Sequence, residues 1–566
     1  MKFIILMYKI GGNKFLLSGF LVFISGFFSV TFELLSLGSI VPLLNKLFDN
    51  TLSNVQFYNS FIESFNFPKE KIINFLVIFV FILFLFKNIF NIFYTYITLD
   101  FANNVYQNIS KNFLLKKISL DYLKFSEISN SVFLRDVKDM SLSLRSYIEL
   151  LLNYYIEILI FILLILFLLY ISFQTTILGL IFILIFSVIY SFYNNKKIIK
   201  LGESRNNFTQ KFNSTLLLIY SNFIEIKIFK KEFYFVKVFE DINKKFSDSL
   251  QSINFRIYIT KYIIEFIVIL LLLTFTLNFI NEINLQNSIP LIGIYLVSSY
   301  RLLPSINRIL SLRLSLKSHQ HTINYFYNFI DSFSKKKRIA ISDLNLHNKK
   351  NISNGIELRN IRFSFNKSKY FLDDINLKIK KNKILGIFGS SGSGKSTLVK
   401  IIIGLLKPES GKIFIDNKLI EHSLYVTNKI SYISEKFYLL NDTIGNNICF
   451  GHKYNHNRII KTLRDVNAIN FLKDKKLTLD SVLAEEGYGF SSGQKQRLAL
   501  ARALYPNPEI LILDEATNSL DIKTERSILE VFKKIKKNKI IIIISHRIET
   551  MKLCDHVIQI KKNSLV

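Results

Sequence analysis

The sequence predicts a membrane α-helical domain with six transmembrane helices, followed by an α/β domain built around a phosphate-binding loop. Three observations predict it. Half of the 566 residues are hydrophobic and the mean hydropathy is +0.29, although the formal charge is +31. Apolar stretches long enough to cross a bilayer, which takes roughly 20 helical residues, all lie before residue 311. Beyond residue 341, short apolar runs alternate with Gly-containing turns and helical patterns, the texture of an α/β domain.

The composition excludes several classes at once. Disordered chains are poor in apolar residues, and an ordinary soluble enzyme could hide this apolar excess only in an oversized core. The charge is spread evenly: 35 basic and 20 acidic residues stand before position 340, and 38 and 22 after it. Neither half is a basic tail, so no nucleic-acid partner is expected. Cys449 and Cys554 are the only cysteines, which makes a disulfide framework implausible and fits a reducing compartment for the C-terminal half.

The six apolar stretches run at about 15–35, 75–93, 148–171, 176–193, 257–280 and 289–310. Buried soluble helices are the alternative, and the charge-free segment 158–171 argues against it. The first stretch outruns a signal peptide and lacks a small-residue cleavage site. Seven basic residues in 98–147 and twelve in 194–256, against three in 44–74 and none in 281–288, put both termini in the cytoplasm. Those two basic segments read as cytoplasmic extensions of the helices, carrying short elements near 124–131 and 223–232. The chain thus divides into a transmembrane domain at 1–320, a basic linker at 321–340 and the α/β domain at 341–566. The run Lys335 to Arg338 in the linker reads as a membrane-surface or solvated segment rather than a nucleic-acid site.

In the α/β domain an apolar strand, 384–388, runs into Gly389-Ser390-Ser391-Gly392-Ser393-Gly394-Lys395-Ser396-Thr397 and then a helical pattern. Glycines let backbone N–H groups close around phosphate oxygens, and the helix N-terminus adds partial positive charge. Lys395 is placed for the β- and γ-phosphates and Ser396 for Mg²⁺. A second strand, 510–513, ends in Asp514-Glu515: Asp514 is placed to hold Mg²⁺, and Glu515 to polarise the attacking water. A third, 540–544, delivers Ser545-His546, with His546 reading as a γ-phosphate sensor.

Between them Phe490-Ser491-Ser492-Gly493-Gln494 opens a basic amphipathic helix. With this segment, the domain resembles the nucleotide-binding domain of ATP-binding cassette (ABC) transporters. Together with six spans the chain resembles an ABC exporter half-transporter along nearly its whole length. The resemblance implies ATP and Mg²⁺ as cofactors, ATP hydrolysis coupled to transport, and a bacterial inner-membrane location with a cytoplasmic nucleotide-binding domain. It assigns Phe365 to adenine stacking and Glu435 to the γ-phosphate-sensing loop, as a catalytic-site residue and a further Mg²⁺ neighbour. Ser491, Gly493 and Gln494 become the signature that caps ATP bound by the opposite subunit, and Asp521 the end of a dimer-contact loop.

Three positions depart from that pattern: Glu435 replaces a glutamine, Phe490 and Ser492 replace leucine and glycine in the signature, and Asn518 replaces a serine. Ser492 costs little unless its backbone needs positive φ. One nucleotide domain per chain requires a second half-transporter. A homodimer is expected, with a heterodimer as the alternative raised by the departures.

Cations inside spans are expensive and usually face a cavity. Lys87, Lys261 and Arg301 are the candidates, and facing a dimer lumen they would favour an anionic phosphate or pyrophosphate group. The alternative is that each snorkels, or pairs with Glu157 or Glu265. These three positions and the segment 299–308 resemble bacterial flippases for lipid-linked oligosaccharides of the protein N-glycosylation type. The resemblance implies that a polyprenyl-pyrophosphate-linked glycan is flipped, with membrane lipids around the transporter. The segment 57–67 reads as a short lipid-touching helix, as in those flippases, or a plain loop. The rivals are an exporter of another lipid, a peptide or a drug, and a non-transporting ABC protein that uses ATP binding as a switch. About 14 residues precede the first span, so no leader-peptidase domain is expected there.

Overall fold

A computed structural model describes residues 13–40, 42–43, 69–171, 173–280, 285–334, 352–365, 370–390, 392–419, 429–484, 487–517, 520–561 and 564–565. Two compact units divide the chain: Met1–Leu120 with Lys124–Arg338, and Asp121–Leu123 with Ile339–Val566. The segment 57–67 lies outside the described residues.

The first unit is helical. Its long helices are α1 (Asn13–Gly38), α2 (Lys69–Ile118), α3 (Met140–Ile171), α4 (Phe173–Ser221), α5 (Glu232–Ile280) and α6 (Leu285–Ser318), followed by α7 (Gln320–Ser334). Each of the six apolar stretches falls within one of the first six. Among the described residues, Phe15–Gly38, Ile72–Ile118 and Asn130–Tyr170 are long and apolar enough to cross a membrane. In α4, α5 and α6 part of each stretch lies among positions whose side chains are not described. Exposed apolar side chains such as Ile78, Phe81, Ile92 and Tyr96 on α2 suit lipid, not water.

Helix α2 has 50 residues. At 1.5 Å per residue it is about 75 Å long, well beyond a hydrocarbon layer of about 30 Å. α4 and α5, with 49 residues each, overrun it similarly. The short helix Phe223–Ile228 joins these two, where the sequence suggested a local element. α1, α2, α3 and α7 share a core that includes Val30, Phe101, Phe113, Leu144, Ile148 and Phe326. Next to it the fully buried Asp136 accepts from Lys117 at 2.7 Å, Arg135 at 2.8 Å and the Tyr325 hydroxyl at 2.7 Å.

The second unit carries two sheets. The antiparallel one joins β1 (Gly355–Phe363), β2 (Leu372–Lys380), β4 (Ser410–Ile415) and β5 (Lys418–Leu419) in the order β2-β1-β4-β5. The other runs β10-β9-β3-β8-β7-β6, built from β3 (Ile384–Gly389), β6 (Ile430–Ile433), β7 (Ile510–Asp514), β8 (Ile540–Ile544), β9 (His556–Lys561) and β10 (Ser564–Leu565). Strands β6, β7, β8, β3 and β9 are parallel, each to its neighbour. Every residue of β7 and β8 is buried. Continuous Ile and Leu runs are what a sheet covered on both faces requires. Helices α8 (Lys395–Ile402), α9 (Ser492–Leu504) and α10 (Ile522–Ile535) complete what positions the site. Cys449 and Cys554 are both free.

Candidate active site

Ligands in open parallel sheets collect at the carboxyl ends of the strands, and here β3, β7 and β8 end together. β3 delivers the glycine loop into α8. Gly394 caps that helix with φ +102°, and a Cβ there would lie 2.8 Å from Leu372 Cδ2, so both backbone and space demand glycine. Lys395 Nζ donates to the Gly389 and Ser390 carbonyls at 3.0 and 2.9 Å. Burial pulls the Lys395 ammonium below its ordinary range, opposed by the Glu515 and Asp514 charges. Ser393 Oγ is buried with no hydrogen-bond partner among the described residues, a polar atom that an incoming phosphate could satisfy. Ser391 lies outside the described residues; Thr397 is half-buried on α8.

The Ser396 hydroxyl donates to Asp514 Oδ1 at 3.2 Å. Adjacent ligands on an octahedral Mg²⁺ with bonds near 2.1 Å stand about 3.0 Å apart, so this oxygen pair fits the ion. The other oxygen, Oδ2, accepts from the Tyr432 hydroxyl at 2.9 Å. Burial, and then the Asp514 charge, push the Tyr432 phenol well above its usual range. From β8, His546 Nε2 lies 2.9 Å from Glu515 Oε1. Lys395, Ser396, Asp514, Glu515 and His546 thus converge. Such a group can hold a nucleotide's terminal phosphates, a divalent ion and an attacking water.

The remaining predicted residues stand at the margins. Phe365 is 54% exposed, edge-on to Phe363 and Phe371 with ring centres 5.0 and 5.4 Å away. Glu435 is exposed just beyond β6. Ser491 caps α9 in a reciprocal box with Gln494, and its backbone N–H donates to Gln494 Oε1 at 3.1 Å. Ser492, first residue of α9, is not among the positive-φ residues, and Gly493 follows it in the same helix. A serine there carries no backbone strain. Phe490 packs edge-on against Phe471 at 6.0 Å. Asp521 caps α10, and its hydrogen bonds with Thr524 hold its carboxyl below the usual range. Asn518 lies outside the described residues.

The cations of the first unit are not alike. Lys87 Nζ lies 3.5 Å from the buried Glu33 Oε1. Its partner is therefore Glu33, not the Glu157 or Glu265 named in the alternative to a cavity-facing role. Glu157 instead accepts from Arg308 at 2.7 Å and from Ser305 at 3.1 Å. Lys261 is exposed, its ammonium 5.9 Å from the Tyr262 ring centre. Arg301 lies on α6, with its side chain outside the described residues.

Sequence reasoning missed Glu33 and Tyr432. Glu33 is an acid inside the first apolar stretch, and the cost argument applied to cations would have found it. Tyr432 gives no sequence signal, because its partner lies 82 residues away.

Comparisons with known proteins follow the same division. Residues 372–518 match the ABC transporter family model. A bacterial Atm1-family ABC exporter, solved with ATP bound, superposes with a TM-score of 0.75 at 18% identity, covering 94% of each chain. The chain has the fold of an ABC exporter. Among curated relatives, the ATP-dependent lipid A-core flippase of Wigglesworthia glossinidia brevipalpis is 38% identical over 216 residues. The alpha-hemolysin translocation ATP-binding protein HlyB of Escherichia coli O6:H1 is 38% identical over 223. The chain spans only 37% and 31% of those two proteins' lengths, with 37% and 38% of its own length matched. The exporter fold and its apolar helices make the chain a multi-pass inner-membrane protein with a cytoplasmic nucleotide domain.

Proposed function

We propose that the chain is one half of an ATP-driven exporter that works as a homodimer and hydrolyses ATP to move an anionic lipid-linked substrate. The convergence of Lys395, Ser396, Asp514, Glu515 and His546 within an ABC exporter fold carries this reading. Lys395 and the loop N–H groups would hold the β- and γ-phosphates, Phe365 the adenine, and Ser396 with Asp514 the Mg²⁺. Bound there, Mg²⁺ neutralises charge on the phosphates. Glu515 accepts the proton of the attacking water, and His546 orients Glu515 and meets the γ-phosphate. The exposed Ser491 at the α9 N-terminus would close over ATP held by the second copy, and Asp521 lies beside that contact.

The substrate reading is a polyprenyl-pyrophosphate-linked oligosaccharide, flipped to the outer leaflet. Lys87, Lys261 and Arg301 support it, because cations this deep in apolar helices suit a pyrophosphate. The name of one relative, a lipid A-core flippase, favours a lipid cargo; that of the other, tied to alpha-hemolysin translocation, favours a protein. The test is to reconstitute the purified protein in vesicles with a fluorescent polyprenyl-pyrophosphate glycan. ATP-dependent flipping, reduced by K261A, by R301A and by the paired substitution of Glu33 and Lys87 with glutamine, is expected. Undiminished flipping by folded variants overturns the pyrophosphate reading, and flipping of none of the lipid overturns the cargo.

A further inference from the structure

Of the described carboxylates in the second unit, only Asp514 and Glu525 are buried. Asp514 belongs to the site above, while Glu525 sits in the first turn of α10. Its Oε1 accepts from the Thr517 hydroxyl at 2.8 Å and the Thr550 hydroxyl at 2.7 Å. Its Oε2 accepts from Arg547 Nη1 at 2.5 Å, and that same nitrogen donates to the Leu520 carbonyl at 3.2 Å. Thr517 and Thr550 are each 1% exposed. A buried carboxylate with three donors is satisfied, and removing its charge leaves the opposing cation uncompensated.

The addresses of these partners matter. Thr517 lies two residues beyond Glu515, Arg547 immediately follows His546, and Leu520 immediately precedes Asp521. Glu525 therefore holds the chain just past the water-activating carboxylate and just past its histidine, and its partner Arg547 reaches the dimer-contact loop at Leu520. Glu515 needs such an anchor, because its φ of +54° is a left-handed conformation rarely adopted outside glycine. Conformations of that kind persist where the surroundings over-determine them. The Glu515 N–H bond to the Ile544 carbonyl at 3.1 Å fixes one side of the residue, and the Glu525 clasp fixes the other.

We propose that Glu525 is a positioning residue for ATP hydrolysis, which sets the Glu515–His546 spacing and the register of the dimer-contact loop through Thr517, Arg547 and Leu520. The proposal rests on the hydrolytic reading above. Glu525 touches no reacting atom; its effect is geometric. A misplacement near 1 Å can cost about a hundredfold in rate.

The test uses the full-length protein in lipid nanodiscs, with Glu525→Gln and Thr550→Val compared. Thr550→Val removes one hydroxyl from the same carboxylate without touching either catalytic loop. For Glu525→Gln, kcat is expected to fall about 10- to 100-fold, with KM and ATP affinity within about twofold. Amide exchange across 515–521 and 545–548, measured without nucleotide, should quicken about tenfold. Thr550→Val should stay within about threefold of wild-type kcat, because it leaves the Arg547 pair intact. Wild-type kcat and exchange in Glu525→Gln overturn the proposal, as does an equal loss of kcat and ATP affinity in both variants, which marks a general structural role. A wild-type protein that never hydrolyses ATP overturns the hydrolytic reading instead. The exchange rates then still decide the clasp, and unchanged exchange in Glu525→Gln overturns it.

Discussion

The Tyr432 hydroxyl donates to Asp514 Oδ2 at 2.9 Å, while Ser396 reaches Oδ1 of the same carboxylate at 3.2 Å. One oxygen is turned toward the phosphate loop and the other is held by the neighbouring strand. Tyr432→Phe keeps the ring and removes the donor, leaving a buried carboxylate oxygen short of a partner. A hydrogen bond to a charged group contributes about 1.5–3 kcal/mol, so thermal unfolding without Mg²⁺ should show a loss of that size. Saturating Mg²⁺ with ATP should restore much of it, since a bound cation compensates the carboxylate. Thermal shifts with and without Mg²⁺ check this, and an equal deficit in both conditions would count against the role assigned to Asp514.

Glu515 and His546 lie 2.9 Å apart at the ends of the paired parallel strands β7 and β8. Glu515→Gln keeps the shape and removes the base. General-base catalysis contributes about 10²–10⁴-fold, so steady-state ATPase should fall by that order while ATP affinity is kept. A variant as active as wild type would exclude Glu515 as the base.

How far this site was legible follows from the sequence separation of its parts. The glycine loop, Asp514-Glu515 and Ser545-His546 each follow an unbroken apolar run, whose shortness and isoleucine content mark it as a buried strand rather than a helix. Their convergence comes from the β3-β8-β7 order, which no local pattern encodes. Tyr432 and Glu525 act through partners far along the chain, so their spacing carries no signal. In the first unit, apolar length placed six stretches inside six helices, and α2 runs on to Ile118, into the basic segment 98–147 that reads as an extension of the helices. That part of α2, with Asn103, Asn104, Asn108 and Lys111, has no apolar run, so its charge rather than its hydropathy marks it. The departures at Phe490 and Ser492 bring no local strain: Phe490 packs on Phe471 and Ser492 has no positive φ.

His319, just past the end of α6, makes an acid-sensitive point outside the apolar spans. Its Nδ1 is buried without a partner among the described residues. Burial, and then the charge of Arg205, pull its pKa down from 6.5 to about 3. Between those two values the unfolded chain binds a proton that the folded chain refuses, so stability rises with pH across that window. The contribution is complete above pH 6.5 and drains away as pH falls toward 3. Thermal unfolding of the detergent-solubilised protein should therefore show a falling Tm from pH 6.5 downward. In His319→Leu the slope should be shallower; an unchanged slope would assign the acid sensitivity to other groups.

Glu33 and Lys87 set the terms on which any substrate role for Lys87 must be tested. Glu33 is 2% exposed and Lys87 17%, with 3.5 Å between carboxylate and ammonium. Removing one member of a buried pair costs about 3–5 kcal/mol, whereas replacing both by neutral groups is often close to neutral. Lys87→Gln alone and Glu33→Gln alone should each lower the Tm and the folded yield, and the double substitution should recover most of both. Transport then separates the two roles of the lysine. If Lys87 meets an anionic substrate, the double variant is folded but flips slowly; if the pair is purely structural, it flips at the wild-type rate. A single alanine at Lys87 cannot make this distinction, because it strands the Glu33 carboxylate and loses the fold and the cation together.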